Sequence, residues 1–419
     1  MKPLIKVTRA IRKPRTTVKR LMAVFDRFRI TKKASALVSQ SESLLKYQHY
    51  DYIVIVPWII AGGADKFAIN YANYGKRLRS DWKVLVITTE GAKPSCDVRQ
   101  LGLNTDVDFL AMAELVPYNQ NHEAIISRAL QQIVFNKKPR AVHIILSKLG
   151  YEFIEKNGDE LKTMNTKIIL TGFNNSITNS DGKLIGYAVN EIPRCYKYAN
   201  IITTDNLITK ERWVKLFNFS ADKIVVHNNP FDVPSLEPHK NHVGINVLWA
   251  AHIRTEKNPE LVVDVAKQLF DYNVRFDCYG ELDINNYPKN PFTQYKLPNL
   301  KYMGAYKDFF HDIDLPNYDL FMYTTMSDGM PNILIEAGLA NLPIITSRVG
   351  GIPEMIRNDG TLISDYTVPD QFINTIKLFM KDRRVFTKKA ASLRKHLIHY
   401  YGYKHFEEQI SDMLATLDL

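Results

Sequence analysis

The stretch Asp319–Glu354, DLFMYTTMSDGMPNILIEAGLANLPIITSRVGGIPE, decides the fold. Leu320–Tyr323 is a short apolar run of the kind that forms a strand buried on both faces. A turn follows, and Pro331 suits the first position of a helix over 332–340, because its missing N–H would be unpaired there in any case. Residues 344–346 form the next strand. The stretch therefore predicts strand, helix and strand, with a loop at each junction.

Two carboxylates flank the first strand-to-helix junction. Asp328 lies just before the helix, and Glu336 lies early in it, where side chains lean back toward the N-terminus. A helix N-terminus offers unpaired N–H groups and a positive dipole end, which favour phosphate or sugar oxygens. The junction predicts a ligand site with one acid from the loop and one from the helix. The alternative is an ordinary structural unit with two solvated acids.

The full string resembles the donor-site signature of retaining GT-B glycosyltransferases of the family-4, or group 1, type. There a Glu-x7-Glu pair precedes a small-residue helix, a Gly-Leu-Pro-like stop, a strand and a Gly-Gly-x-Pro-Glu turn. Asp328 stands where the first Glu is usual, so the charge is kept and the reach is one methylene shorter. The resemblance implies that Glu336 binds ribose hydroxyls and Asp328 the transferred sugar. It also implies that the loop backbone contacts the donor at Gly329, Met330, Pro331 and Asn332.

Size and composition fit two domains in a chain without a membrane span. The 419 residues are too many for one core. No apolar run reaches the length of a spanning helix, and the N-terminus lacks a signal-peptide core. The cysteines Cys96, Cys195 and Cys278 are far apart and odd in number, which predicts reduced thiols in a cytoplasmic protein.

Residues 1–48 carry thirteen Lys and Arg residues against Asp26 and Glu42, which matches the whole formal net charge of +11. Apolar residues such as Leu21 and Phe25 interleave with these bases and give a predicted helix an apolar side. Such a segment can lie on anionic lipid. The alternatives are a solvated basic arm packed on the body, or disorder. The sequence contains no recognised nucleic-acid-binding motif, so we expect no nucleic-acid partner.

Strands and helices alternate from Tyr52 to His227, which predicts a parallel sheet covered on both faces. Gly62 and Gly63 lie between the first strand and its helix. In the resembled family such a glycine loop faces the donor diphosphate, whereas a plain tight turn is the alternative. His143 lies in a later strand. By resemblance it reaches the transferred sugar, and a core histidine is the alternative.

The second predicted domain begins with a strand at 245–250, whose loop carries His252, Arg254 and Lys257. Three potential cations at a strand-to-helix loop suit a diphosphate, although a solvated basic loop has the same composition. The resembled family has an Arg with a Lys five residues on. Lys257 matches that Lys, and His252 occupies the Arg position, so His252 or Arg254 would take the part of the missing Arg.

Two further strand ends fall where the resembled proteins hold the nucleotide base. The strand at 274–279 ends at Gly280, and the strand at 300–304 ends in a tight loop. Strand-end glycines also have ordinary uses in turns. The resemblance assigns four residues here to donor binding: Gly280, Tyr302, Met303 and Gly304.

The predicted fold is α/β, of the GT-B class, with two doubly wound Rossmann-like domains facing across a cleft and a basic N-terminal extension. The boundaries are an extension over 1–48, an N-terminal acceptor domain over 49–228, a linker over 229–243 and a donor domain over 244–398. Residues 399–419 form a final helix that crosses back to the first domain.

The function implied by the resemblance is retaining, metal-independent sugar transfer from a nucleotide-sugar donor to a glycan or lipid-linked acceptor, in cell-surface polysaccharide synthesis. No cofactor is implied. The protein would be cytoplasmic and peripheral on the inner face of the membrane. Two alternatives remain within the fold: a sugar epimerase or an inverting transferase. A third is a non-catalytic GT-B scaffold that binds a sugar nucleotide or a partner, since fold does not fix function.

Overall fold

The structure is a computed structural model that describes residues 14–60, 62–90, 97–117, 119, 121–173, 177–178, 184–185, 190–284 and 287–419. Only the backbone is described for 14–25, 177–178 and 184–185. Cys96 lies outside the described residues. The chain divides into two compact units, the first within Met1–Thr171 and Asn190–Asn200 with Leu419, and the second within Gly172–Val189 and Ile201–Asp418. The domain boundaries given above stay a prediction.

The first sheet is built from short apolar strands buried along nearly their whole length, as expected of a sheet covered on both faces. Its strands are β1 (Tyr52–Val56), β2 (Val84–Thr88), β3 (Asp108–Leu110), β4 (Ala141–Ile145), β5 (Lys167–Thr171), β8 (Ile201–Thr204) and β9 (Ile224–Val226). A separate antiparallel pair consists of β6 (Ile177–Thr178) and β7 (Leu184–Ile185). The order β3-β2-β1-β4-β5-β8-β9 gives a doubly wound arrangement.

Six α-helices lie in the described residues of this part of the chain. They are α1 (Pro14–Leu44), α2 (Gly63–Leu78), α3 (His122–Lys137), α4 (Lys148–Thr163), α5 (Glu191–Cys195) and α6 (Leu207–Phe217). Side chains cap two of them: Ser147 accepts the Gly150 N–H at 2.8 Å, and Asn206 accepts the Thr209 N–H at 2.7 Å. These caps fix where α4 and α6 begin.

The end of α1 is part of the first unit, where it packs against α3. Buried residues Ala34, Leu37 and Val38 form the contacting face of α1. Lys137 of α3 is almost fully buried, forms an ion pair with Glu42 and donates to the carbonyl oxygen of Tyr47 at 3.0 Å. Removal of Glu42 would leave a buried ammonium without its carboxylate, which is costly. This packing concerns the end of α1, and the role of the basic segment stays a prediction.

The second sheet has six parallel strands, of which the four inner ones are buried along most of their length. Its strands are β10 (Ile245–Ala250), β11 (Val274–Tyr279), β12 (Leu300–Gly304), β13 (Leu320–Tyr323), β14 (Ile344–Ser347) and β15 (Thr361–Ile363), in the order β12-β11-β10-β13-β14-β15. Its helices are α7 (Pro259–Gln268), α8 (Pro291–Gln294), α9 (Phe309–Asp312), α10 (Asn332–Leu339), α11 (Ile352–Ile356), α12 (Asp370–Lys381), α13 (Arg383–Tyr400) and α14 (Tyr403–Thr416). Two parallel α/β sheets confirm the predicted fold class.

Two local expectations were wrong. Pro331 does not begin α10 but precedes it, with an extended ψ of 117°. The helix therefore starts at Asn332, and the Pro331 carbonyl accepts the Leu334 N–H. The second concerns α13, which was not predicted because only Ala390, Leu393 and Leu397 of this basic helix are buried. Within the described residues, no helix combines the length and the apolar character needed to cross a membrane.

Candidate functional site

Three loops meet at the carboxyl edge of the second sheet, after β10, β13 and β14. Parallel strands present their following loops at one edge, where ligands of such sheets bind. The Met326 N–H donates to the Glu256 carbonyl at 2.7 Å, which joins the first two loops. The Gly351 N–H donates to the Gly329 carbonyl at 2.8 Å, which joins the second and third. A Cβ on Gly351 would lie 2.7 Å from that carbonyl oxygen, so only glycine permits this approach.

Asp328 and Lys257 form an ion pair between the first two loops. Lys257 Nζ lies 2.6 Å from Asp328 Oδ2, and both side chains are largely buried. The Tyr323 hydroxyl also donates to Oδ2 at 2.6 Å, and the Gly329 N–H donates to Oδ1 at 2.9 Å. Burial, and then the Asp328 charge, raise the pKa of Tyr323 well above its usual range, so the phenol stays a donor. The structure thus brings two predicted donor-binding side chains together.

Two buried threonines after β13 fix the backbone that carries Lys257. Thr324 Oγ1 donates to the Lys257 carbonyl at 2.8 Å and accepts the Trp249 indole N–H at 3.1 Å. Thr325 Oγ1 donates to the Glu256 carbonyl at 2.9 Å. Sequence reasoning missed these positioning residues. The signal was present, since two polar side chains directly follow a buried apolar strand and need partners.

Glu336 lies in the second turn of α10 and is half-buried. Its neighbourhood includes Tyr306, whose pKa is raised first by burial and then by the Glu336 charge. Met330 precedes α10, and its sulfur accepts a hydrogen bond from the Tyr401 hydroxyl at 3.5 Å. The role of Glu336 toward ribose stays a prediction, and Tyr306 is a neighbour that sequence reasoning missed.

The strand ends predicted to hold the base are joined to one another. The Gly280 N–H donates to the Gly304 carbonyl at 2.9 Å, and the Tyr302 hydroxyl donates to the Gly280 carbonyl at 2.8 Å. Gly280 has φ of +152°, and a Cβ there would lie 1.7 Å from the Ala251 carbonyl oxygen. Any side chain at Gly280 would therefore displace the loop after β10. Met303, between Tyr302 and Gly304, is half-buried on β12.

His252 and Arg254 are more exposed than Lys257 and lie beside acids that sequence reasoning missed. The His252 side chain is 61% exposed, with Nδ1 4.0 Å from Glu281. Arg254 Nε lies 3.5 Å from Asp283. Desolvation, and then the Arg254 charge, lower the pKa of His252, which keeps its ring neutral near pH 7. Of these three side chains, only Lys257 is largely buried.

In the first unit, the loop before α2 already has a carboxylate partner. Asp65 Oδ2 accepts the N–H groups of Ile60 and Gly62, both at 2.8 Å. Gly63 is the first residue of α2. The predicted contact of Gly62 and Gly63 with a diphosphate stays a prediction. A donor phosphate there would compete with Asp65 for the Gly62 N–H.

His143 lies in the middle of β4 and has no exposed surface. Its Nδ1 is 2.6 Å from the Tyr52 hydroxyl, and its Nε2 is 2.5 Å from the Thr171 hydroxyl. Its ring also packs edge-on against Tyr71. This environment fits the core-histidine alternative, and its predicted contact with sugar remains untested.

Asp205 and Glu354 are further acids in the second unit that sequence reasoning did not single out as site residues. Glu354 accepts the Leu207 N–H at the start of α6 at 2.7 Å. Burial raises the pKa of Asp205 to about 7, and the Asp328 and Glu354 charges add to the rise, against the hydrogen bond from Asn206. Asp205 therefore changes charge near neutral pH.

We predict that Asp205→Asn alters the pH dependence of stability. The folded state holds the Asp205 proton up to about pH 7, whereas the unfolded state loses it near pH 4. This favourable contribution is complete below pH 4 and is lost as pH rises to about 7. The variant should therefore gain stability relative to the parent between pH 5 and 8, measured by urea unfolding. The assignment would be refuted if the free energies of unfolding of parent and variant changed with pH in parallel, or if the exposed control Asp222→Asn gained stability in the same way.

The strand orders of the two sheets, with loops of both charges at the carboxyl edge of the second, define a protein of the GT-B class. Residues 237–400 match the family model described as glycosyl transferases group 1. The match contains Lys257, Asp328 and Glu336.

Curated relatives match over part of their length. The Escherichia coli O-antigen biosynthesis glycosyltransferase WbnH is 28% identical over 157 residues, which are 37% of this chain and 44% of that protein. The Saccharomyces cerevisiae phosphatidylinositol N-acetylglucosaminyltransferase GPI3 subunit is 22% identical over 217 residues, 49% of this chain and 47% of that protein. The chain thus spans less than half the length of these relatives.

Solved structures match the fold over most of the chain. The crystal structure of Anabaena HepE in complex with UDP and glucose has a TM-score of 0.66 and 13% identity, and covers 88% of this chain and 100% of its own. The lipopolysaccharide outer core galactosyltransferase WaaB in its apo form has a TM-score of 0.63 and 14% identity, and covers 87% and 100%. At such identities the likeness concerns the fold.

Proposed function

We propose that this chain is a glycosyltransferase that moves a sugar from a nucleotide-sugar donor to a glycan or lipid-linked acceptor in cell-surface polysaccharide synthesis. The observation that carries the proposal is the Lys257–Asp328 pair, held by hydrogen bonds at the carboxyl edge of the second sheet. The names of the relatives support it, since WbnH is an O-antigen glycosyltransferase and HepE was crystallised with UDP and glucose.

Lys257 is proposed to bind the donor diphosphate. Its ammonium has three donors, and Asp328 accepts one of them at 2.6 Å. Diphosphate oxygens can accept the others and share the cation with Asp328. Negative charge grows on the diphosphate as it leaves, and a cation already in place stabilises that charge without reorganisation. Arg254 would add positive charge, or His252 a neutral ring N–H donor, from the exposed side of the same loop.

The two acids are proposed to hold the sugar and the ribose. Asp328 Oδ1 accepts the Gly329 N–H, and a carboxylate oxygen has room to accept a sugar hydroxyl as well. Glu336, half-buried early in α10, would accept the ribose hydroxyls. The backbone of 329–332 would line the donor between them. Gly280, Tyr302, Met303 and Gly304 would border the base.

Transfer is proposed to proceed with retention and without a metal. The bond between the anomeric carbon and the diphosphate oxygen breaks, and a bond from that carbon to the acceptor oxygen forms on the same face. The acceptor proton passes to a donor phosphate oxygen, so no carboxylate needs to become a nucleophile. An NMR assignment of the anomeric configuration of the product would test this part, and an inverted product would overturn it.

The test of the function is a panel of UDP-, GDP- and dTDP-sugars, with binding and release of nucleoside diphosphate measured in parallel. We expect binding and release with one nucleotide class. Binding of a sugar nucleotide without any release, even with undecaprenyl-linked or soluble glycan acceptors, would instead identify a non-catalytic scaffold. An absence of binding across the panel would overturn both alternatives.

The basic half of α1 is proposed to hold the protein on an anionic membrane, at the inner face of the cell membrane. Within the described side chains, Arg27, Arg29, Lys32 and Lys33 are exposed. Phe28 among them is 71% exposed. Each base near an anionic leaflet contributes about 1 kcal/mol, and the contribution falls with salt.

We predict that glutamate at Arg27, Arg29, Lys32 and Lys33 together weakens binding to anionic vesicles by at least about 100-fold at low salt. Substitution is preferable to truncation, because the end of α1 provides Glu42 for buried Lys137. The control carries the same charge change at exposed sites on α13 and α14: Arg384, Lys388, Lys395 and Lys404. Vesicle sedimentation gives the measurement. Equal loss in the two variants would reject a specific role for α1.

A further inference from the structure

A cluster of two histidines and an aspartate lies at the opposite edge of the second sheet from the candidate donor site. Asp319 directly precedes β13, whereas Asp328 follows it. His239 and His242 lie in the segment that leads into β10. His239 Nε2 is 3.4 Å from Asp319 Oδ1, and His242 Nε2 is 3.4 Å from Asp319 Oδ2. The three side chains each offer one ligand atom, all within 4.8 Å of one another.

These contacts do not satisfy the histidines as hydrogen bonds. Both ring nitrogens of His242 are inaccessible to solvent and have no hydrogen-bond partner in the described part of the chain. A buried polar nitrogen without a partner is unusual in a folded protein. A bound metal ion would satisfy one of these nitrogens, since neutral imidazole is a common metal ligand.

The separations fit a four-coordinate zinc ion. Zinc binds His nitrogen and Asp oxygen at about 2.0–2.2 Å, so two tetrahedral ligands lie about 3.3–3.5 Å apart. His239 Nε2 lies 3.4 Å from Oδ1 of Asp319 and His242 Nε2 lies 3.4 Å from its Oδ2, so each imidazole has this separation from one of the two carboxylate oxygens. Two imidazoles and one carboxylate provide three ligands, and water would complete the four.

The Asp319 carboxylate is held in place by hydrogen bonds from groups outside the cluster. Asp319 Oδ2 accepts the Asn246 N–H at 2.8 Å, and Oδ1 accepts Arg383 Nη1 at 2.9 Å. Arg383 also donates to the Gly244 carbonyl at 2.8 Å. Such outer contacts orient metal-binding carboxylates. The Arg383 charge opposes a cation, so the site would bind more weakly than one whose acid has only neutral donors.

The cluster borders two cavities. His239 and Asp319 line a cavity of about 710 Å³, together with Arg383. His242 and Asn246 line a second cavity of about 430 Å³. Asp319 itself is only 3% exposed and the ring nitrogens of His242 are inaccessible to solvent, so the open side of the site is the His239 side. An entry path is one of the requirements of a credible metal site.

We propose that His239, His242 and Asp319 bind a divalent transition metal, with zinc as the best fit. The ion would cross-link the segment before β10 to the residue that precedes β13, within the second unit. This inference does not depend on the proposed function, because the site lies at the amino edge of the sheet and contains no residue assigned to donor or acceptor.

Calorimetric titration of the chelator-treated full chain with zinc chloride tests the proposal. We expect one equivalent to bind in the parent and at least tenfold weaker binding in His239→Ala and in the double variant His239→Ala, His242→Ala. The matched control is His311→Ala, since His311 lines the same 710 Å³ cavity but pairs with Asp308 instead. The control should bind like the parent.

Cobalt provides a second readout that does not depend on stability. Tetrahedral Co²⁺ bound to the parent and to His311→Ala should give intense visible absorption, which the double variant should lack. His239 is 47% exposed, so its single variant should fold even where the double variant does not. Absence of stoichiometric zinc binding to the parent, or equal binding by parent and His239→Ala, would overturn the proposal.

Discussion

Lys257→Ala is expected to lower kcat/KM for the nucleotide-sugar donor by about 100- to 1,000-fold, the effect of losing one preorganised electrostatic donor. The variant loses the cation proposed for the leaving diphosphate. It also removes the ammonium partner of the largely buried Asp328 carboxylate, which still accepts the Tyr323 hydroxyl and the Gly329 N–H. Because charge grows as the bond breaks, we expect most of the loss in kcat.

Arg254→Ala is the matched control, since it removes a cation from the same loop. Arg254 lies 3.5 Å from Asp283 and is 45% exposed, so its loss should cost less than that of Lys257. The same holds for His252→Ala, whose ring is neutral near pH 7. The assignment of Lys257 to the diphosphate would be contradicted by a Lys257→Ala rate close to that of the parent. It would also be contradicted by a loss of rate in Arg254→Ala as large as that in Lys257→Ala.

Glu336→Ala is expected to reduce kcat/KM by at least about 100-fold and to leave the fold intact. A carboxylate that accepts two ribose hydroxyls would lose two hydrogen bonds to a charged group, each contributing about 1.5–3 kcal/mol. Since ribose contacts hold the donor in both ground and transition states, we expect a large part of the effect in KM. Steady-state kinetics with circular dichroism of both proteins give the measurement.

The control for Glu336 is Asp264→Asn on α7. Asp264 is 53% exposed and pairs with Lys267 one turn away, so its loss should change neither stability nor rate appreciably. A folded Glu336→Ala protein with donor kinetics like those of Asp264→Asn would contradict the ribose assignment. It would leave the Lys257 prediction standing, because Lys257 lies in the loop after β10 whereas Glu336 lies in α10.

Strands were the most predictable part of the fold. Three strands have the predicted bounds: Tyr52–Val56, Ile245–Ala250 and Val274–Tyr279. Short apolar runs between turn residues are typical of buried strands. The helix at 383–400 was missed because three buried residues in a basic stretch give a weak periodic signal. Its stability comes from tertiary packing, which local sequence does not show.

Individual site residues were predictable where one loop carries several charged or polar side chains. Their contacts with residues distant in the sequence were not. Lys257 and Asp328 were each named from the sequence, yet their 2.6 Å ion pair joins loops 71 positions apart. Asp65 is close to the glycine loop in sequence, and its contact was nevertheless missed. It accepts the Gly62 N–H three residues earlier, and this contact alters the prediction for that loop. His143 shows that residue type alone does not distinguish a buried core position from a ligand contact.

The acid at Asp205 could not be recognised from sequence for a different reason. Its pKa of about 7 comes from burial first and then from Asp328 and Glu354, more than 100 positions away in the chain. No local pattern encodes such an environment. The cluster of His239, His242 and Asp319 has the same character, because its aspartate lies 77 positions beyond His242.

Release of nucleoside diphosphate by the parent and by Lys257→Ala, measured side by side on the sugar nucleotide that binds best, tests the central claim most directly. We predict that the parent releases nucleoside diphosphate in a reaction that depends on an acceptor or on water. The rate of release should fall by at least about 100-fold in Lys257→Ala. Binding of the donor by a parent that never releases nucleoside diphosphate, or equal release by both proteins, would contradict it.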